Sequence, residues 1–364
     1  MSTEDTDVVR DARMPQRFTP YTIFITCVLS FGWGFTALST MNAPYVTPAT
    51  SQGAGTNATF EDFYTTVEEF NLTTRQIEMT LTVSFIGSMF LGHIPCAYAD
   101  RVGRHPVSFY SMLITGCSSL ICAMAPNFEI FLVGRFIQGV FFLANSTMFW
   151  VLACESMPLS CHGKASIIFG VIWVLGYISV SPISILVGEW RRLLYITGSL
   201  CVVYSFFIRI IIQESLSFLI VSKQYTKVEK WIQRSESFGG PKFERSVSAR
   251  LHDVGNDEVD TKPSMMSLFK QALTHKTIRL HLIISTFMWI IDTVVYVGLG
   301  IMVGNPHVNF VLPGLIELPA SFIMPFMMDN IGRRKTVIVA HLETAVTLLI
   351  IAFISTGFHI EYHV

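Results

Sequence analysis

The sequence predicts an all-α polytopic membrane protein, with a complete six-helix bundle followed by a second, partial bundle of three helices. Three observations carry that expectation. Of 364 residues, 51% are hydrophobic and only 14% are charged, against roughly a quarter charged in soluble domains. Nine apolar stretches each approach the ~20 residues that a helix needs to cross a bilayer. A polar six-residue segment recurs at matching places in the two halves. A soluble globule would need far more polar surface. The near balance of 25 basic and 26 acidic residues excludes a protein that holds nucleic acid by bulk positive charge.

The stretches run over 21–43, 77–98, 106–126, 129–153, 165–187, 193–213, 280–303, 308–328 and 337–358. Residues 1–20 are polar and mixed in charge, with no signal-peptide pattern. Residues 21–213 form the first bundle, 214–279 a long polar connection, 280–358 the partial second bundle and 359–364 a short tail. The seven cysteines show neither metal spacing nor a disulfide framework, and buried thiols are expected.

Orientation follows from lysine and arginine. With a cytoplasmic N-terminus, Arg10, Arg13, Arg17, Arg101, Arg104, Lys164, Arg333, Arg334 and Lys335 all fall inside. Only Arg75, Arg191 and Arg192 fall outside. Segment 44–76 is then an extracellular loop, is acidic through Glu61, Asp62, Glu68 and Glu69, and carries glycosylation sequons at Asn57 and Asn71. A third sequon at Asn145 lies within a span and is expected to stay unmodified. Between Ser217 and Phe238 the inner connection has the pattern of an amphipathic helix, ended by Gly239-Gly240-Pro241. Arg245-Ser246-Val247-Ser248 is a weak phosphorylation motif.

The repeat is Asp100-Arg101-Val102-Gly103-Arg104-His105 against Asp329-Asn330-Ile331-Gly332-Arg333-Arg334, 229 residues apart. Each copy joins the second and third spans of its unit, as in a chain built from two parallel halves around a central cavity. Glycine permits a tight turn and aspartate favours a helix N-terminus.

These residues resemble the major facilitator superfamily and, within it, the organic cation, anion and carnitine transporters of solute carrier family 22. The resemblance is carried by Asp100–Arg104, Gly134-Arg135-Phe136, Glu155 with Pro158, Trp190-Arg191, Glu214-Ser215, Tyr296-x-Gly298-Leu299, and Gly314–Ala320 with Gly332-Arg333-Arg334. It covers residue 80 onward. Cys96 stands where the family motif has glycine, and Gln213–Ser217 reduces a Pro-Glu-Ser-Pro-Arg pattern. Family members have about twelve spans, so the resemblance makes this chain look truncated after the ninth.

The resemblance implies a non-enzymatic transporter of small organic ions, cations or zwitterions ahead of anions, working by alternating access in the plasma membrane. The alternative is a non-transporting truncated member that regulates a full-length relative. No cofactor and no metal are expected; the partners are a small organic ion and the lipid bilayer. Homo- or hetero-oligomerisation stays open. Ionisable residues inside spans usually face a cavity or a partner. Asp292, flanked at helical spacing by Trp289 and Tyr296, suits an organic cation. Glu317 is a second candidate cavity carboxylate and Glu343 a weaker one, with Trp173, Phe31, Trp33 and Phe35 as aromatic lining. Asp100, Arg101, Gly103, Arg104, Arg135, Glu155, Glu214, Asp329, Gly332, Arg333 and Arg334 are expected to form a cytoplasmic gating motif of ion pairs and caps.

Overall fold

The structure is a computed structural model and describes residues 19–48, 63–157, 161–239, 265–302 and 311–361. Asn57, Glu61, Asp62, Pro158 and the Arg245–Ser248 motif lie outside the described residues. The first bundle consists of α1 (Pro20–Thr40) with its short extension α2 (Ala43–Val46), α3 (Thr66–Phe70), α4 (Thr74–Leu91) continued by α5 (His93–Val102), α6 (Arg104–Ala123), α7 (Phe128–Cys154), α8 (His162–Val187) and α9 (Trp190–Ile211). Two short helices follow, α10 (Leu216–Val221) and α11 (Tyr225–Ser237). The second unit holds α12 (Met265–Thr274), α13 (Lys276–Met302), α14 (Val311–Asn330) and α15 (Arg333–Glu361). Each of the nine expected spans is a helix among the described residues, and eight helices are long and apolar enough there to cross a membrane.

Local sequence sets the helix ends. Thr19 accepts from the backbone N–H of Thr22 at 3.2 Å, with Pro20 in the first turn of α1. Asn127 caps α7 in the same way, accepting from Ile130 at 3.2 Å. Helices pack through small residues, as membrane helices do when no hydrophobic force draws them together. A Cβ on Gly176 of α8 would stand 2.2 Å from the Gly34 carbonyl oxygen of α1, so only glycine allows that approach.

Two expectations need correction. Segment 44–76 is not all loop. Thr65 and Glu68 form a capping box that starts α3, and a bridge of Tyr64 with Glu189 ties it to α9. The amphipathic helix expected over 217–238 is split, because Lys223 adopts φ 57° and ends α10 before α11 begins. Both pieces dock on the first bundle. Leu216, Leu219, Val228 and Trp231 join Tyr21, Ile25 and Ile208 in one buried cluster, with the Trp231 ring edge-on to Tyr21 at 5.4 Å.

The second unit meets the first along α14 and α8. A Cβ on Gly314 would lie 2.6 Å from Ile178 Cγ1, one on Gly170 2.9 Å from Ser321 Oγ, and one on Gly163 3.1 Å from Asp329 Oδ2. Those contacts run in opposite chain directions, so the two helices are antiparallel over their length.

Candidate functional site

The inner wall of the first bundle is aromatic. Trp33 donates its indole N–H to the Ser146 carbonyl at 2.7 Å, which fixes the ring. Phe169 stands edge-on to it at 5.1 Å, and Trp150 and Trp173 lie at 6.0 and 6.1 Å. Of the other rings expected there, Phe35 packs on Tyr204 at 4.8 Å in the bundle core. Phe31 points outward, half exposed.

The second unit adds Tyr296 from α13 and Glu317 from α14. Their side chains face each other, and Tyr296, 47% exposed, also faces Trp173. Tyr177 of α8 faces both. Two elements of the second unit and α8 of the first thus place one carboxylate among aromatic rings at the boundary between the halves. Tyr177 was absent from the sequence-derived candidates. Nothing local distinguishes it from other aromatics in a span, and only the pairing of α14 with α8 brings it in.

Trp289 and Asp292 do not join this cluster. Trp289 is 73% exposed. Asp292 is paired with His341 of α15, Oδ1 to Nε2 at 3.2 Å. Helical spacing put all three residues on one side of α13, but of the three it is Tyr296 that faces α8. Glu343 of α15 lines a groove of about 280 Å³ with Pro319 and Met324, away from the aromatic wall. A second groove, of about 630 Å³, lies between α13 and α15 and includes Arg333, Arg334 and His341.

The charged cluster around the first copy of the repeat lies at the bundle end marked by Arg104. Its guanidinium pairs with Asp100 at 3.0 Å and Glu155 at 3.1 Å and lies over the Phe218 ring at 5.1 Å. Glu155 also accepts from the Ser215 hydroxyl. Glu214 accepts from the backbone N–H groups of Arg104 and His105, each at 3.1 Å, so it caps α6 from a distant part of the chain. Burial pushes the Glu214 carboxyl up from its ordinary value, and these N–H groups offset only part of that. Gly103 has φ +118°, and a Cβ there would fall 2.1 Å from Glu214 Oε2. Its repeat counterpart Gly332 has φ +95° and likewise precedes a helix, α15. Asp329 meets the first turn of α8. Arg101, Arg333 and Arg334 are exposed.

Arg135 corrects the expected grouping. It lies in the second turn of α7, at the opposite end of the bundle, because α7 runs from that end toward Glu155. It is 3% exposed and donates to Asn42 Oδ1 and Gln138 Oε1, both at 3.2 Å. The same end holds a tether that the sequence reading missed. The Arg191 fork pairs with Glu69 of α3 and donates to the carbonyls of Ala123 at 2.6 Å and Ala125 at 2.9 Å. Trp190 adds its indole N–H to Glu69 at 2.8 Å. Burial pushes the Glu69 carboxyl up, but Arg191 and Trp190 outweigh it and hold the group below its ordinary value. Asn71, exposed at φ 50°, ends α3. Asn145 is buried and donates to Thr115 at 2.8 Å.

Comparison with known proteins decides the family. The Major Facilitator Superfamily profile matches residues 22–361. The chain belongs to the major facilitator superfamily. It is a multi-pass membrane protein, not an enzyme. A Caenorhabditis elegans protein named only as a candidate transporter is 29% identical over 93% of this chain and 69% of its own length. Mouse (Mus musculus) solute carrier family 22 member 3 is 27% identical over 82% of this chain and 54% of its own length. The chain therefore spans about half the length of the solute carrier relatives it matches. The fold matches the xylose transporter XylE from E. coli in a partially occluded inward-open conformation, with a TM-score of 0.56 at 14% identity over 87% of this chain and 74% of that one.

Proposed function

We propose that the chain carries small organic ions across the plasma membrane by alternating access, cations or zwitterions such as carnitine ahead of anions. In this reading the Arg104 end is cytoplasmic and the Glu69 end extracellular. The observation that carries it is the meeting of Tyr296 and Glu317 with Trp173 at the boundary of the two halves. A carboxylate neutralises a bound cation while aromatic faces attract it, and the pair works best where water is scarce. Transporters of paired repeats bind near the midplane between the repeats, where rocking exposes the site to each side in turn. For a cation, the membrane potential supplies about 2.3 kcal/mol per charge per 100 mV, so uptake needs no nucleotide.

Glu317 is the neutralising group, Tyr296 and Tyr177 orient it, and Trp173 and Trp33 form the opposing wall. Asp292, one turn from Tyr296 and held by His341, borders this site. The experiment is uptake of tetraethylammonium and carnitine in cells expressing the full chain, at matched surface abundance. Glu317→Gln should lower tetraethylammonium uptake about tenfold, the loss of roughly 1.4 kcal/mol of binding. Unchanged uptake in that variant removes the site, and absence of uptake by the wild-type chain overturns the reading.

A further inference from the structure

Arg135 is a buried cation without a counter-charge among the described residues. Guanidinium does not deprotonate in proteins, so burial cannot neutralise it. Its polar partners are two neutral carbonyl oxygens, those of Asn42 and Gln138, and the Phe131 ring lies 5.2 Å from its centre. No carboxylate among the described residues pairs with it. The titratable group that faces it is the Cys122 thiol, which is neutral at pH 7 by its ordinary value. Among the described residues its Nε and Nη2 have no acceptor, and neither does the amide nitrogen of Gln138, itself 8% exposed and one turn along the same helix. Two neighbouring buried side chains of α7 thus leave three donors that no described protein oxygen answers.

The site sits two turns into α7, inside the bundle and away from the solvent-exposed helix end. An uncompensated charge in this setting is among the costliest arrangements a fold can hold. Donors left open beside a fixed positive charge are the ordinary design of an anion site.

We propose that Arg135 and Gln138, with Asn42 fixing the guanidinium, form a binding site for one small monovalent anion, either inorganic halide or the carboxylate of a zwitterionic solute. The site is distinct from the Glu317 cluster and stands whether or not that cluster binds cations. Its occupant completes the electrostatics of the first bundle and stabilises it by binding the folded state alone.

The test is thermal unfolding of the full chain in detergent, at constant ionic strength with the bulky sulfonate HEPES as the reference anion. Chloride, acetate, carnitine and the tetraethylammonium salt of HEPES are the probes. A bound anion should raise Tm by about 3–5 °C at saturating concentration. A shift with chloride identifies a halide site; a shift with acetate and carnitine but not chloride identifies a carboxylate site. The tetraethylammonium salt of HEPES, which supplies neither halide nor carboxylate, should leave Tm unchanged. Arg135→Gln should abolish the shift. Asn42→Asp places a carboxylate 3.2 Å from the guanidinium and should remove the dependence while keeping the fold, which covers the case in which Arg135→Gln does not fold. The proposal is overturned if no probe anion shifts Tm, if the tetraethylammonium salt of HEPES shifts it as much as chloride or acetate does, or if the shift persists in either variant.

Discussion

Gly170 of α8 and Ser321 of α14 face each other so closely that a Cβ on Gly170 would stand 3.1 Å from the Ser321 Cβ. This contact, with Gly163–Asp329 and Gly314–Ile178, joins the two units of the chain along one helix pair. The glycines on α8 remove the side chains that would hold α14 away. Their spacing leaves Tyr296 and Glu317 opposite Trp173.

That geometry predicts a cross-link. Disulfides need Cβ atoms about 3.5–4.5 Å apart, within a small relaxation of the observed contact. Gly170→Cys with Ser321→Cys should therefore form a disulfide under mild oxidant. It is detected by cutting the chain between residues 240 and 264 and finding the fragments still joined. Separate fragments under oxidising conditions would show that the two helices are not neighbours.

Gly103 is predicted to be intolerant of any side chain. Gly103→Ala meets two penalties, the strain of a positive φ and a Cβ 2.1 Å from Glu214 Oε2. The first alone costs of order 1–3 kcal/mol. Thermal unfolding should show a Tm loss of several degrees. Gly332→Ala should lose less, since nothing lies within 4 Å of the Cβ it would add. Equal losses would contradict the role given to Glu214.

The two shifted glutamates predict pH dependences of opposite sign. Glu69 is held below the ordinary value, so its contribution is complete above about pH 4.3 and is lost as pH falls through the lowered value. Glu214 is raised, so its contribution declines as pH rises from the ordinary value through the raised one. Across a series from about pH 3 to pH 7, the Tm advantage of wild type over Glu69→Gln should grow with pH. Its advantage over Glu214→Gln should shrink. Parallel curves for the two variants would refute the assignment.

Arg191→Lys should behave almost as a deletion. The guanidinium fork serves Glu69 and two backbone carbonyls at once, and an ammonium cannot reproduce that planar geometry. A loss of about 1.5–3 kcal/mol is expected, the scale of hydrogen bonds to a charged group. If Arg191→Lys unfolds at the wild-type temperature, α3 is not tethered through this residue.

Asn71 tests the orientation. It is exposed at the end of α3, so glycosidase treatment of the cell-expressed chain should shift its mobility, and Asn57→Gln with Asn71→Gln should abolish the shift. A chain unaffected by glycosidase would reverse the proposed sidedness.

The helical character and approximate limits of the long apolar runs, and the Asp100/Asp329 repeat, were legible in the sequence. Each depends on local composition and spacing, and a bilayer imposes one solution on long apolar runs. Gly103 was legible as a turn for the same reason. The partners of ionisable groups were not. Helical spacing put Trp289, Asp292 and Tyr296 on one side of α13, but could not say that Asp292 meets His341 while Tyr296 meets Glu317. Arg135 was grouped with Arg104 by motif, whereas the direction of α7 puts it at the other end, buried without an acid. Such facts concern distances between segments far apart in the chain. They are set by which helices pack and how closely; for the Tyr296–Glu317 cluster that is the close approach of α8 and α14 at their glycines.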